Sequence, residues 1–194
     1  MQNDHAQMDR APLRFVRHGA TSANLAGLRC GGDLDLPLTD LGRAQAVDCA
    51  MRLARLQPPI GLIVTSDLKR TRQTAAYISA ALPGVPVIVE PEFAERMLGE
   101  WNLKPIAATQ PWLEARCTPP GGESDDEFAD RIARALRRLK RRLHERPLLV
   151  GSKGVARMLG ELVGMPERLE LGNCVVTEFD LTDRPCLVTT WSAL

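Results

Sequence analysis

Short apolar runs alternating with helix-patterned stretches constrain this chain more than any other feature. Leu13 to Val16, Gly61 to Thr65, Val85 to Val89 and Leu148 to Val150 read as buried strands, apolar and partly β-branched. Between them lie amphipathic stretches. The first runs from Leu38-Thr39-Asp40 to about Leu56, with Ala46, Ala50, Leu53 and Ala54 on one face, and Pro58-Pro59 stop it. The second covers Leu68 to Leu82, with Ser66-Asp67 as its cap and Pro83-Gly84 as its end. Ser124-x-x-Glu127 is a capping box opening a helix to about Glu145, and another helix runs from Ser152-Lys153-Gly154 to about Val163. Val175 to Leu181 and Leu187 to Trp191 supply two final strands. This alternation predicts an α/β fold: a three-layer α/β/α sandwich around a mostly parallel central sheet. One domain over residues 13–194 accommodates it, with residues 1–12 as a polar, disordered leader.

Three of the strands stop at polar residues. Arg17-His18-Gly19 follows the first, Ser66 to Arg70 the second, and Ser152-Lys153 the fourth. Such ends converge on one edge of a parallel sheet, where ligands bind. Together they offer an imidazole, several cations and helix N-termini, a set suited to an anion. Of the three histidines, His5 lies in the leader and His144 ends a basic helix, so imidazole chemistry rests on His18. Beside a bound phosphate, its neutral nitrogen can attack phosphorus. A carboxyl group must handle protons, and Glu92, Glu95 and Glu100 are the candidates within the irregular segment 90–122. A segment of that length inside a compact domain is usually functional. One short helix is predicted within it, between Pro105 and Ala115.

The totals exclude several classes. A net charge of +1 argues against nucleic-acid binding, and the basic side of the helix after Ser124 reads as a solvated face. No apolar run is long enough for a membrane span. Five cysteines, an odd number with no C-x-x-C spacing, fit reduced thiols and a cytoplasmic location.

Five motifs in order carry a resemblance. They are Arg17-His18-Gly19-Ala20-Thr21-x-x-Asn24, Pro37-Leu38-Thr39-x-x-Gly42-x-x-Gln45-Ala46, Ser66-Asp67-Leu68-x-Arg70-x-x-Gln73-Thr74-Ala75, Glu95-x-x-x-Gly99-x-Trp101 and Pro120-Gly121-Gly122-Glu123-Ser124. They resemble the histidine phosphatase superfamily, which includes phosphoglycerate mutases. The resemblance runs from about Leu13 to Val176 and implies the phosphoglycerate mutase-like version of the fold. It further implies that His18 becomes phosphohistidine, that Arg17 and Arg70 clamp the phosphoryl oxygens, and that Asn24 donates a hydrogen bond to them. Glu95 then protonates the leaving oxygen and later activates water. Thr21 belongs to the nucleophile motif and, with Arg29, joins Asn24 in the expected substrate-binding set. Arg96 and Trp101 are further candidate contacts. The arginines supply the charge that phosphoryl transfer needs, so no metal or other cofactor is implied.

The chain departs from the family at one point. Members carry a second histidine, in a serine-histidine-glycine segment, where this chain has Ser152-Lys153-Gly154. A lysine ammonium there can donate to a phosphoryl group and stabilise its charge, or it can fold away and pair with a carboxylate. The favoured expectation is a phosphomonoester hydrolase acting on a small phosphorylated metabolite, of the sugar-phosphate or α-ribazole-phosphate type, with Lys153 as a phosphate ligand. The alternatives are a non-catalytic pocket that binds a phospho-ligand and a mutase-like phosphotransferase. A homodimer is left open.

Overall fold

The computed structural model describes residues 12–165, 169–181 and 189–191. The expected leader falls outside these residues apart from Pro12, and so do Leu187 and Val188 of the last expected strand. Six strands make one sheet: β1 (Leu13–Arg17), β2 (Leu62–Thr65), β3 (Val87–Val89), β4 (Pro147–Gly151), β5 (Val176–Phe179) and β6 (Thr189–Trp191), in the order β3-β2-β4-β1-β5-β6. The first four run parallel, while β5 is antiparallel to β1 and β6 to β5. The helices are α1 (Ser22–Leu25), α2 (Asp40–Leu53), α3 (Lys69–Ala81), α4 (Ile106–Glu114), α5 (Asp125–Lys140) and α6 (Lys153–Leu162).

Strand side chains alternate between faces, and each face has its own core. Phe15, Val64 and Leu149 pack with Ile132 and Leu136 of α5 and Leu159 of α6. Val16, Ile63 and Val150 pack on the other side with Ala46 and Leu53 of α2 and Ile78 of α3. This is the three-layer sandwich that the alternation of runs predicts.

Local signals behave unevenly. The Ser124–Glu127 capping box forms as predicted, and Thr39 caps α2 by accepting from Gly42 N at 3.1 Å. Ser66 and Asp67 do not cap α3, whose N-cap position is Leu68. Ser66 Oγ instead lies 2.7 Å from Thr71 Oγ1, both buried, so the hydroxyl satisfies an interior need. The helix after Ser124 ends at Lys140, and a separate turn covers Leu143–Glu145. Strand β3 starts only after Pro86, whose carbonyl accepts from Ile63 N at 2.9 Å. The basic side of α5 is engaged in ion pairs, Arg138 with Glu90 and Glu92 and Arg134 with Glu92.

The loop after β1 is fastened to the start of α2. Thr39 Oγ1 donates to Ala20 O at 3.0 Å, and Gln45 Oε1 accepts from Ala20 N at 2.9 Å. The two backbones touch. A Cβ on Gly42 would lie 2.1 Å from Ala20 O, and one on Gly19 would lie 2.3 Å from Gly42 O. Neither position tolerates a side chain without moving main chain. Gly42→Ala is accordingly expected to destabilise the fold by about 1–3 kcal/mol through overpacking, read as a lowered urea midpoint at unchanged slope.

Candidate active site

Parallel pairing brings the three polar strand ends together. Arg17 is in register with Gly151 of β4, and His18 N donates to Gly151 O at 2.9 Å. Thr65, at the end of β2, is in register with Val150 on the other side of β4. A cavity of about 290 Å³ opens at this edge, and Arg17, His18, Asn24, Glu95, Lys153 and Arg157 all line it.

His18 is buried, and its Nδ1 lies 2.7 Å from Gly19 O. A carbonyl can only accept, so Nδ1 carries the proton and the lone pair sits on Nε2. Burial, and then the charges of Arg70 and Arg17, hold the imidazole well below the ordinary histidine range, against a smaller opposing effect of the Gly19 bond. The ring is therefore neutral, with one nitrogen fixed as donor and the other as a nucleophile or acceptor.

Arg17 reaches its position from the end of β1. Its Nη1 donates to Leu171 O at 2.6 Å, while its buried Nε has no hydrogen-bond partner among the described residues. Arg70 is 1 % exposed and donates to Leu34 O at 2.9 Å and Gly31 O at 3.1 Å. It does not line the cavity; it bears on His18 through its charge and ties down the loop after α1.

Asn24 lines the cavity from α1. Its Oδ1 accepts from Thr21 N at 3.1 Å and from Asn173 Nδ2 at 3.3 Å. With the oxygen so occupied, the Asn24 amide has its N–H groups to offer a ligand. Thr21 is buried and off the cavity wall, and its hydroxyl accepts from Asn24 N at 3.3 Å. It positions Asn24 through the capping box of α1. Arg29 does line the cavity, with Nε donating to Thr109 Oγ1 at 2.7 Å and Nη2 to Gln110 Oε1 at 2.8 Å.

Of the three carboxyl candidates, Glu95 is the one on the cavity wall. Its Oε2 accepts from Gly154 N at the start of α6, at 2.9 Å, and its Oε1 from Arg96 N at 2.8 Å. The surrounding loop is held from α5: Arg131 Nη1 donates to the carbonyls of Glu92 and Ala94 at 2.7 and 3.0 Å, and Arg131 pairs with Glu123 at 2.7 Å. Glu92 pairs instead with Arg134 and Arg138. Arg96 is buried and bonds to Glu123 O, Asp125 and Cys117 O, a bracing role. Trp101 is buried against Trp112, ring centroids 5.4 Å apart, and is off the wall.

Lys153 is the first residue of α6. Its ammonium pairs with Glu170, and Arg157, one turn further along, pairs with the same carboxylate. Burial draws the amine below the ordinary lysine range, with Glu170 opposing. Lys153 thus lines the cavity that His18 also lines, with its amine paired to a carboxylate.

Several contributors were not legible in the sequence. Asn173 Nδ2 donates to His18 O at 2.8 Å as well as reaching Asn24. Thr74 Oγ1 accepts from Gly19 N at 3.1 Å, and Gln73 Oε1 from Leu38 N at 2.8 Å. The last two lie in a motif whose match carried no role. Asn173 and Glu170 had no signal, because neither belongs to a patterned segment. Gly154 had one, a glycine opening a helix, and its reason is now clear: a Cβ there would stand 2.0 Å from Glu95 Oε1.

Comparison with known proteins follows this geometry. A model described as the histidine phosphatase superfamily (branch 1) matches residues 13–193. A probable phosphoglycerate mutase GpmB of Photorhabdus laumondii subsp. laumondii is 36% identical, covering 91% of this chain and 88% of its own. A glucosyl-3-phosphoglycerate phosphatase of Mycolicibacterium vanbaalenii is 37% identical over 79% of this chain and 75% of its own. Among solved structures, a mycobacterial glucosyl-3-phosphoglycerate phosphatase in complex with VO3 superposes with a TM-score of 0.78 at 30% identity, covering 95% of this chain and all 100% of the other. The α-ribazole phosphatase of Shigella flexneri gives 0.79 at 25% identity, covering 94% and 96%.

Two outcomes test this geometry. Below about pH 6.5 an unfolded histidine takes up a proton that native His18 refuses, so acid favours unfolding by about 1.4 kcal/mol per pH unit. Urea titrations between pH 7 and 5 should show that slope in the wild type, and a shallower one in His18→Asn. Gly154→Ala should displace the Glu95 carboxylate, lowering turnover by roughly 10²-fold, the usual contribution of a positioned acid or base, with the thermal midpoint little changed.

Proposed function

The chain belongs to the histidine phosphatase superfamily, and from that premise we propose that it hydrolyses small phosphomonoesters through a phosphohistidine formed on His18. The observation that supports this most directly is the neutral imidazole, its Nδ1 proton bound to Gly19 O, in one cavity with the guanidinium of Arg17 and the carboxyl of Glu95.

In the first step Nε2 of His18 attacks phosphorus, the P–O bond to the alcohol breaks, and protonated Glu95 gives its proton to the leaving oxygen. Arg17 Nε and the Asn24 amide donate to the equatorial oxygens, where charge gathers. In the second step the Glu95 carboxylate takes a proton from water, the water oxygen bonds to phosphorus, and the P–N bond breaks. Phosphate leaves and His18 is neutral again.

Lys153 stands where the family carries its second histidine. We assign its ammonium to the phosphoryl group: a dianion entering the cavity competes with Glu170 for the same charge, and Arg157 remains to hold Glu170 in place. Arg70 acts behind the ring, keeping it unprotonated. A second reading, ligand binding without turnover, draws on the same Lys153–Glu170 pair, which would then stay closed.

Quenching the protein with a phosphomonoester in alkali, followed by peptide mass spectrometry, separates these readings. Hydrolysis requires one phosphate on the His18 peptide and steady release of inorganic phosphate. Lys153→Ala should then lose about 10²–10³-fold in kcat, as for removal of one transition-state donor, and Lys153→His should recover most of it. Saturable binding with an unmodified His18 and no phosphate release supports the second reading instead.

A further inference from the structure

The cavity that His18, Arg17, Asn24 and Glu95 line is also lined by apolar side chains, Leu28, Leu98, Ile106, Leu113, Phe128 and Met158, interspersed with charged ones. Leu98, Phe128 and Met158 are buried in the fold beneath it. Ile106 and Leu113 are different. They stand two turns apart on one side of α4, a helix whose only buried residue is Thr109, and Ile106 is 40% exposed. Helix α4 thus presents an apolar side to an open cavity.

The charged residues along this wall already have work. Arg116 pairs with Asp125 at 2.8 Å and Glu161 at 3.0 Å. Arg96 bonds to Asp125 and two carbonyls. Arg29 is engaged with Thr109 and Gln110, and Arg157 with Glu170. A second anionic group on a substrate would have to compete with these partners for the same cations, and Asp125, Glu114 and Glu161 line the same wall.

We propose that the alcohol part of the substrate is an apolar or aromatic body without a second anionic group, seated against Ile106 and Leu113. This rests on the phosphomonoester reading above and narrows it. A phosphorylated hydroxy acid or a bisphosphate is a poor fit, which sets the chain apart from relatives named for phosphoglycerates.

Binding of non-hydrolysable phosphonates to the full chain tests the proposal apart from turnover. By titration calorimetry, 1-naphthylmethylphosphonate should bind about tenfold or more tighter than 3-phosphonopropionate, the value of one well-buried apolar side chain. Replacing both Ile106 and Leu113 by Gln should bring that ratio close to one. Equal affinities in the wild type, a preference for the carboxylated ligand, a ratio untouched by the double substitution, or binding of neither would overturn it. The naphthyl preference without phosphohistidine would refute hydrolysis and leave this assignment standing.

Discussion

The site depends on an imidazole buried next to two guanidinium groups. Such a ring cannot hold a second proton, because burial and both neighbouring charges oppose it. What would be an electrostatic liability elsewhere fixes the neutral state that the proposed attack on phosphorus needs. The main-chain carbonyl of Gly19 then decides which nitrogen keeps the proton. Everything around the ring maintains that state. Asn173 holds the His18 carbonyl, Gly151 takes its N–H, and Thr74 holds the next residue.

The remaining groups divide into those that reach the cavity and those that hold them there. Arg17, Asn24, Glu95 and Lys153 reach it. Thr21, Arg70 and Arg131 act through them, by capping α1, tying the loop after it and gripping the Glu95 segment, while Gly154, itself on the wall, leaves room for the Glu95 carboxylate. The division explains why the motifs are longer than the list of reacting groups. Gln45 and Gln73 never approach the cavity, yet each closes a backbone hydrogen bond that fixes the loop.

Much of the fold was legible because it rests on local patterning. Apolar runs of four or five residues became strands, and the Ser124 box became a helix start. The Ser66-Asp67 cap failed, since a buried hydroxyl found a better partner in Thr71. Tertiary demand overrode a local preference there. At the site, His18 and Arg17 were readable from chemistry and order along the chain, whereas chemistry left Glu92, Glu95 and Glu100 open and only the motif resemblance singled out Glu95. The bonds of Arg70 to the loop after α1, and of Thr21 to Asn24, were not readable, because a motif names residues without saying which way they point. That Lys153 can pair with a carboxylate was readable; which carboxylate was not, because Glu170 comes from an unpatterned stretch just before β5.

Strand β1 is paired on both sides, with β4 and with β5, whereas α4 hangs on Arg29, a single bridge between Leu28 and Pro105, and the Trp101–Trp112 contact. Amide exchange at the root of the nucleophile therefore requires opening the middle of the sheet, while α4 can be remodelled at little cost to the whole.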